Sequence, residues 1–155
     1  MVKVGINGFG RIGRNVLRAT LGNADVEIVA INDLTDSKTL AHLLKRDSLM
    51  GTLPVPVEAA DGHLHVDGKL VRVFSERDPA NIPWHDVGVD IVIEATGFFT
   101  SCEQAAVHIN SGGAKRVIIS APGKAADMTI VLGINHKHDD QKRHSVGSNG
   151  SVKTN

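Results

Sequence analysis

Gly8-Phe9-Gly10-Arg11-Ile12-Gly13 is the first run in this chain whose residue types and spacing could do chemistry. G-x-G-x-x-G suits a diphosphate. Gly8 permits a tight turn off a strand, Gly10 removes the Cβ that would hold the backbone away from a pyrophosphate, and Gly13 lets the next helix lie close to a sheet. Free N–H groups at that helix start then face the phosphates. Sixteen glycines in 155 residues produce such spacings by chance, so the flanks decide. Asp33 stands twenty residues beyond Gly13, where a carboxylate accepts hydrogen bonds from adenosine ribose hydroxyls and repels a 2′-phosphate, so NAD is expected over NADP. The competing reading is a glycine-rich turn and a solvated aspartate.

Other chemistry-bearing residues read more blandly. Cys102 lies at a predicted helix start, where the dipole could lower its pKa, but a thiol without a positioned base is not a nucleophile candidate. His136, His138, Asp139 and Asp140 have neither the spacing of a helical histidine pair nor that of a zinc ribbon, so no metal is expected. His63 and His65 share one face of a short strand and read as surface residues. Trp84, after Pro83, reads as a packing anchor.

The elements that must position the glycines are legible around them. Val2, Val4 and Ile6 alternate with Lys3, Gly5 and Asn7 as in a strand; Ile12, Val16 and Leu17 have helical spacing; Val26 to Ile31 is a second apolar run. This is one βαβ unit. Asp36 or Ser37 can cap a helix carrying Leu40, Leu43 and Leu44, and residues 47–51 read as loop. Short β-type runs near 55–59, 63–67 and 70–74 are separated by Asp61-Gly62 and Asp67-Gly68, an antiparallel excursion. Asp78 or the residues after Pro79 start a short helical turn. Val89 to Glu94 reads as a buried central strand, a helix follows from about Cys102 to Asn110, and Arg116 to Ser120 is another strand. Thr129 to Leu132 and His144 to Val146 are shorter β-type runs. The fold class is α/β: a Rossmann-type doubly wound, mostly parallel sheet with a small antiparallel excursion, one dinucleotide-binding domain over 1–155. In such sheets ligands sit beyond the carboxyl ends of the strands. Those ends are Asn7 to Gly13, Asp33, Thr96-Gly97 and Ser120.

Composition excludes several partners. With 17 basic and 17 acidic residues there is no electrostatic case for nucleic acid or an anionic membrane. No apolar run approaches the ~20 residues of a membrane span, and the N-terminus is not a signal peptide. One cysteine excludes an internal disulfide framework and suits a reducing, cytoplasmic compartment.

The strings Val4 to Arg14, Asn32-Asp33-Leu34-Thr35-Asp36, Ile82-Pro83-Trp84, Glu94 to Thr100, Lys115 to Pro122, Asp127-Met128-Thr129 and Gly133-Ile134-Asn135-His136 resemble phosphorylating glyceraldehyde-3-phosphate dehydrogenase. The resemblance covers essentially the whole chain. Erythrose-4-phosphate dehydrogenase is a close relative whose acid after the second strand is typically Glu, so Asp33 favours the glyceraldehyde-3-phosphate branch. The resemblance implies that Arg11 and Ile12 lie against the pyrophosphate and that Asp33 binds the adenosine ribose. It places Arg77 beside the adenine, has Thr96, Gly97 and Phe99 line the groove, and puts Ser120 towards the nicotinamide.

In that family a string Ser-Asn-Ala-Ser-Cys-Thr-Thr-Asn follows, whose Cys attacks the aldehyde; hydride transfer to NAD then gives a thioester that phosphate cleaves. Here it reads Ser148-Asn149-Gly150-Ser151-Val152-Lys153-Thr154-Asn155. Ser151 is a remnant of the substrate region, and Val152 stands at the nucleophile position with no lone pair to offer. The family's second domain, with its general base and phosphate-binding arginines, is expected to be absent, so the chain is expected to bind NAD without catalysing the reaction. The alternative is an interaction or scaffold module that keeps a nucleotide groove, with self-association or a separate catalytic domain as partner.

Overall fold

The alternating run Val2–Asn7 forms strand β1, with Val4 and Ile6 buried. Past Gly8 the chain enters helix α1 (Arg11–Thr20), which lays Gly13 and Leu17 on the sheet, and returns as β2 (Val26–Asn32), parallel to β1. The expected βαβ unit is therefore present. The computed structural model of the chain describes residues 1–131, 134, 135, 137, 139, 140 and 144–150. Helix α2 (Ser37–Lys45) begins at Asp36, whose carboxylate accepts the Thr39 N–H at 3.0 Å, and it buries Leu40, Ala41 and Leu44.

Residues read as loop carry a minimal hairpin, β3 (Arg46–Asp47) with β4 (Gly51–Thr52). Its turn is closed by Asp47 Oδ1, which accepts the N–H groups of Leu49 and Met50 at 2.8 and 2.9 Å. A side chain holding two backbone amides makes an ordered turn from residues whose types suggest none. The antiparallel excursion is β5 (Val57–Ala60), β6 (His63–Val66) and β7 (Lys69–Phe74). It is less separate than the sequence suggests. β7 lies parallel to β2, with Ala30–Asn32 opposite Arg72–Phe74, so the hairpins extend the main sheet.

Two 3₁₀ turns, Pro79–Asn81 and Trp84–Val87, precede β8 (Ile91–Glu94). The single helix expected over 102–110 is two short pieces, α3 (Cys102–Ala105) and α4 (Val107–Asn110). They meet at Ala106, whose carbonyl is shared by the N–H groups of Ile109 and Asn110, a locally tightened turn. Ser101 and Gln104 form a capping box at the start of α3. β9 (Arg116–Ile119), β10 (Met128–Ile130) and β11 (Val146–Asn149) complete the sheet. β11 starts where the sequence run was expected to end, because Asp127 Oδ2 accepts the N–H groups of Ser145 and Val146, both at 2.9 Å, and feeds Val146 into register with Val117.

The strand order is β10-β11-β9-β8-β1-β2-β7-β6-β5, and every pairing from β10 to β7 is parallel. The chain winds one way from β1 through β2 to β7 and the other way through β8 and β9, so β1 and β8 flank the switch point. Neighbouring residues of β2 fall in different cores: Ile31 packs with Ile6, Leu17 and Leu44, and Ala30 with Trp84, Val92 and Val117. The sheet is covered on both faces, as a parallel sheet requires.

Candidate functional site

Each of the strands β1, β2 and β8 ends on polar side chains where it meets the switch point. Asn7, Asn32 and Glu94 are 2%, 5% and 1% exposed. Beyond them lies a groove of about 480 Å³ lined by Asn7, Gly8, Gly10, Asn32, Asp33, Leu34, Glu76, Arg77, Ala95, Thr96, Phe98 and Phe99. A smaller cavity of about 210 Å³ lies at the opposite end of the sheet, between Thr20–Val26 and Val66–Val71. None of the sequence-predicted site residues lines it.

The glycine turn has the geometry its spacing predicts. Gly8 has φ +90°, and a Cβ there would sit 2.7 Å from the Thr96 backbone nitrogen. A Cβ on Gly13 would overlap the Gly8 carbonyl oxygen, so its absence allows α1 to close on the turn. At Gly10, the N-cap of α1, a Cβ would meet nothing within 4 Å, and no side chain caps the helix. That bare backbone beside uncapped helix N–H groups is a cradle that fits a dinucleotide's pyrophosphate.

Asp33 follows β2 directly and fastens the turn. Its Oδ2 accepts the Phe9 N–H at 2.8 Å and its Oδ1 the Thr35 N–H at 2.9 Å. A carboxylate has about four acceptor sites. Two are thus committed to the protein and two remain uncommitted. Arg14 Nη1 donates to the Phe9 carbonyl at 2.9 Å and braces the same turn.

The other predicted residues divide into those the groove gathers and those it does not. Asn7, Gly8, Gly10, Asp33, Arg77, Thr96 and Phe99 line it, and Gly97, at φ +78°, shapes the turn between Thr96 and Phe98. Phe9 is 1% exposed with its ring in the core, so it serves the site through its backbone. Ile12 is half exposed on the first turn of α1, and the exposed Arg11 guanidinium lies 3.6 Å from Asp47. Ser120 is not in the groove lining; it lies just past β9, its N–H donating to the Glu94 carbonyl at 3.0 Å. Ser151 and Val152 lie outside the described residues.

Sequence reasoning missed Asn32, Leu34, Glu76, Ala95 and Phe98 in the lining. It also missed the buried network beneath them. Asn32 donates to Asn7 Oδ1 at 2.8 Å and exchanges bonds with the backbone of Glu76. Asn7 donates to Glu94 Oε2 at 2.7 Å, and Thr96 donates both its N–H and its hydroxyl to Glu94 Oε1. His108 Nε2 lies 2.7 Å from Glu94 Oε2, while the Trp84 indole N–H donates to His108 Nδ1 at 3.0 Å. An indole only donates, so Nδ1 is bare and Nε2 carries the proton given to Glu94. The one available signal was Glu94 itself, an acid closing an apolar strand.

The remaining candidates resolve locally. Burial pushes the Cys102 thiol upward, with the Asp127 charge adding to the effect, which reverses the lowering expected from the helix start. Asp139 is taken by a two-pronged contact from Arg116 at 2.9 and 3.0 Å, whose hydrogen bonding holds it below the usual carboxylate range. His136 and His138 lie outside the described residues. His63 and His65 are half-buried rather than surface residues, and His63 Nδ1 accepts the Val73 N–H at 3.1 Å. Trp84 is fully buried, as a packing anchor should be. Among the described residues, no helix is long and apolar enough to cross a membrane.

A parallel sheet whose winding reverses beside β1, with a bare glycine turn leading into a helix and a carboxylate after β2, defines a dinucleotide-binding domain of the Rossmann type. Comparison with known proteins narrows the class. The chain belongs to the family described as glyceraldehyde 3-phosphate dehydrogenase, NAD binding domain, whose model matches residues 2–102. Its cofactor is accordingly NAD. It is 58% identical over 154 residues to the glyceraldehyde-3-phosphate dehydrogenase of Geobacillus stearothermophilus, covering 99% of this chain and 46% of that protein. It is 56% identical over 155 residues to glyceraldehyde-3-phosphate dehydrogenase 1 of Bacillus cereus, covering 100% of this chain and 46% of that protein. The chain thus spans about half the length of the curated relatives it matches, 46% in each case.

Proposed function

We propose that this chain supplies the cofactor-binding part of a phosphorylating glyceraldehyde-3-phosphate dehydrogenase, holding NAD across the carboxyl ends of β1, β2 and β8. The observation that carries this reading is the meeting in one groove of the bare backbone at Gly10, the half-committed Asp33 carboxylate and the Thr96–Phe99 turn. The pyrophosphate lies over Gly10 against the first N–H groups of α1, at Arg11 and Ile12. Asp33 takes the adenosine ribose hydroxyls on its two uncommitted acceptor sites and disfavours a 2′-phosphate by charge. Leu34 and Arg77 flank the adenine, Thr96, Gly97 and Phe99 form the opposite wall, and Ser120 lies towards the nicotinamide. Bound NAD supplies a hydride acceptor.

The proposed role stops at the cofactor. Val152 occupies the position at which the family carries its nucleophile, and an isopropyl group has neither a lone pair nor an ionisable proton, so this chain forms no covalent adduct with an aldehyde. The exposed Phe98 and Leu34, at 81% and 55%, line the groove, and Ile12, at 51%, stands on the first turn of α1. A free, half-buried Cys102 fits a reducing compartment, and we place the protein in the cytoplasm.

Calorimetric titration with NAD, ADP-ribose and NADP tests the reading. NAD and ADP-ribose should bind with similar affinity and NADP at least about tenfold more weakly, the counterpart of about 1.4 kcal/mol of charge repulsion. Equal affinity for NADP, or no heat from any of the three, would contradict the assignment of Asp33 and the groove. Addition of glyceraldehyde 3-phosphate and phosphate to the NAD complex should produce no NADH.

A further inference from the structure

We propose that Glu94 is a positioning residue of the NAD groove: its buried carboxylate sets the end of β1 and the Thr96–Phe98 turn together, and His108, fixed in one tautomer by Trp84, holds it there. The inference rests on the reading of that groove as the NAD site and adds to it a residue that does not line the groove. Glu94 is 1% exposed, and among the described residues no Lys or Arg pairs with it; its carboxylate is held by hydrogen bonds. Oε2 accepts from Asn7 and from His108, and Oε1 accepts twice from Thr96. Burial of a carboxylate is costly unless its lone pairs are filled, and here they are filled by Asn7 and Thr96, which line the groove, and by His108 beneath it.

Each link transmits position. The Thr96 hydroxyl donates to Glu94 and accepts the Phe98 N–H at 3.1 Å, so the carboxylate dictates the turn at Gly97 through a single oxygen. Asn7 donates to Glu94, accepts from Asn32 and precedes Gly8, where a Cβ would collide with the Thr96 backbone. His108 cannot reverse its ring protonation to suit another partner, because the Trp84 indole N–H occupies Nδ1 at 3.0 Å. A Gln at position 94 therefore fails by necessity: its amide NH₂ must face either the His108 and Asn7 donors or the Thr96 N–H. Such a one-sided network tolerates an acceptor on both oxygens and nothing else.

The test is a double-mutant cycle in NAD affinity, by calorimetry, on protein whose cooperative melt shows it folded. Glu94→Gln and Thr96→Val should each weaken NAD about tenfold, and the double variant should bind no worse than about the weaker single, because both break one link. Trp84→Phe, remote from the groove, should weaken NAD severalfold by releasing His108. Folded Glu94→Gln binding NAD within twofold of the parent would overturn the proposal, as would additive losses in the double variant, since a merely structural glutamate lowers the melting temperature but leaves the affinity of the folded protein unchanged. If Glu94→Gln shows no cooperative melt, Trp84→Phe decides: parental affinity overturns the proposal and weakened affinity supports it. Failure of the parent to bind NAD would refute the underlying cofactor reading instead, and the titration of the parent separates the two.

Discussion

The two ends of the same parallel strands are built differently. At the carboxyl ends Asn7, Asn32, Glu94 and His108 are buried polar groups that satisfy one another across β1, β2 and β8. At the amino ends of β1 and β8 the polar link lies nearer solvent: Asp90 accepts from the Lys3 N–H at 3.0 Å and from Lys115 Nζ at 2.7 Å, with the Lys115 side chain 78% exposed. A buried network fixes geometry because losing one member strands the others, whereas a solvated pair can be replaced by water. The groove end of β1, β2 and β8 is therefore framed by buried polar bonds.

The comparison is broken most severely at the glycines. Gly13→Ala drives a Cβ into the Gly8 carbonyl and should cost about 3 kcal/mol in urea denaturation, with loss of NAD binding. Its counterpart is Gly22→Ala, at an exposed turn with φ +79° and nothing within 4 Å, which should cost about 1 kcal/mol and leave NAD affinity unchanged. Equal effects at the two ends would show that the turn is not tightly packed.

The acids come next. Asp33→Ala should weaken NAD by roughly thirtyfold, about 2 kcal/mol, as expected for lost hydrogen bonds to a charged group, and should narrow the NAD preference over NADP in calorimetry. Asp90→Ala should leave NAD affinity unchanged, and Lys115→Ala should cost about 0.5 kcal/mol of stability, as exposed pairs do. The smallest effect is with pH. The hydrogen bond from Lys115, then that from the Lys3 N–H, lowers Asp90 from its ordinary 3.8, and the Val146 N–H does the same for Asp127. A lowered carboxylate stabilises the fold fully above its unfolded value and loses that contribution as pH falls through the folded one. Stability from these groups should therefore be flat above about pH 5 and decline below 3.8, and Asp90→Asn should flatten part of the decline in an acid melt series.

Sequence alone located the glycine turn, Asp33 and the strands around them because those signals are local: period-two alternation, a fixed spacing, a cap such as Asp36. What it missed depends on chain segments far apart. Glu94 meets Asn7 and His108 only once β8 lies against β1 and α4 packs on the sheet, and His108 in isolation looks like any polar residue on a short helix. β7 reads as the last strand of an excursion, and only its pairing with β2 makes it part of the main sheet. The place of Cys102 at a helix start suggests a lowered thiol pKa, whereas burial and the neighbouring Asp127, supplied by a later loop, push it the other way. In the sequence Asn32 is masked by its neighbour Asp33, whose charge is the conspicuous feature; its exchange with the Glu76 backbone ties β2 to the segment after β7.

The central claim is that one end of this sheet, and not the other, receives the cofactor. Amide chemical shifts of the ¹⁵N-labelled chain titrated with NAD test it directly. Shifts are predicted at Gly8–Gly13, at Asp33 and at Thr96–Phe99, with Thr20–Val26 and Asp90 unmoved. Perturbation confined to Thr20–Val26 and Val66–Val71, or spread evenly over both ends, would contradict it.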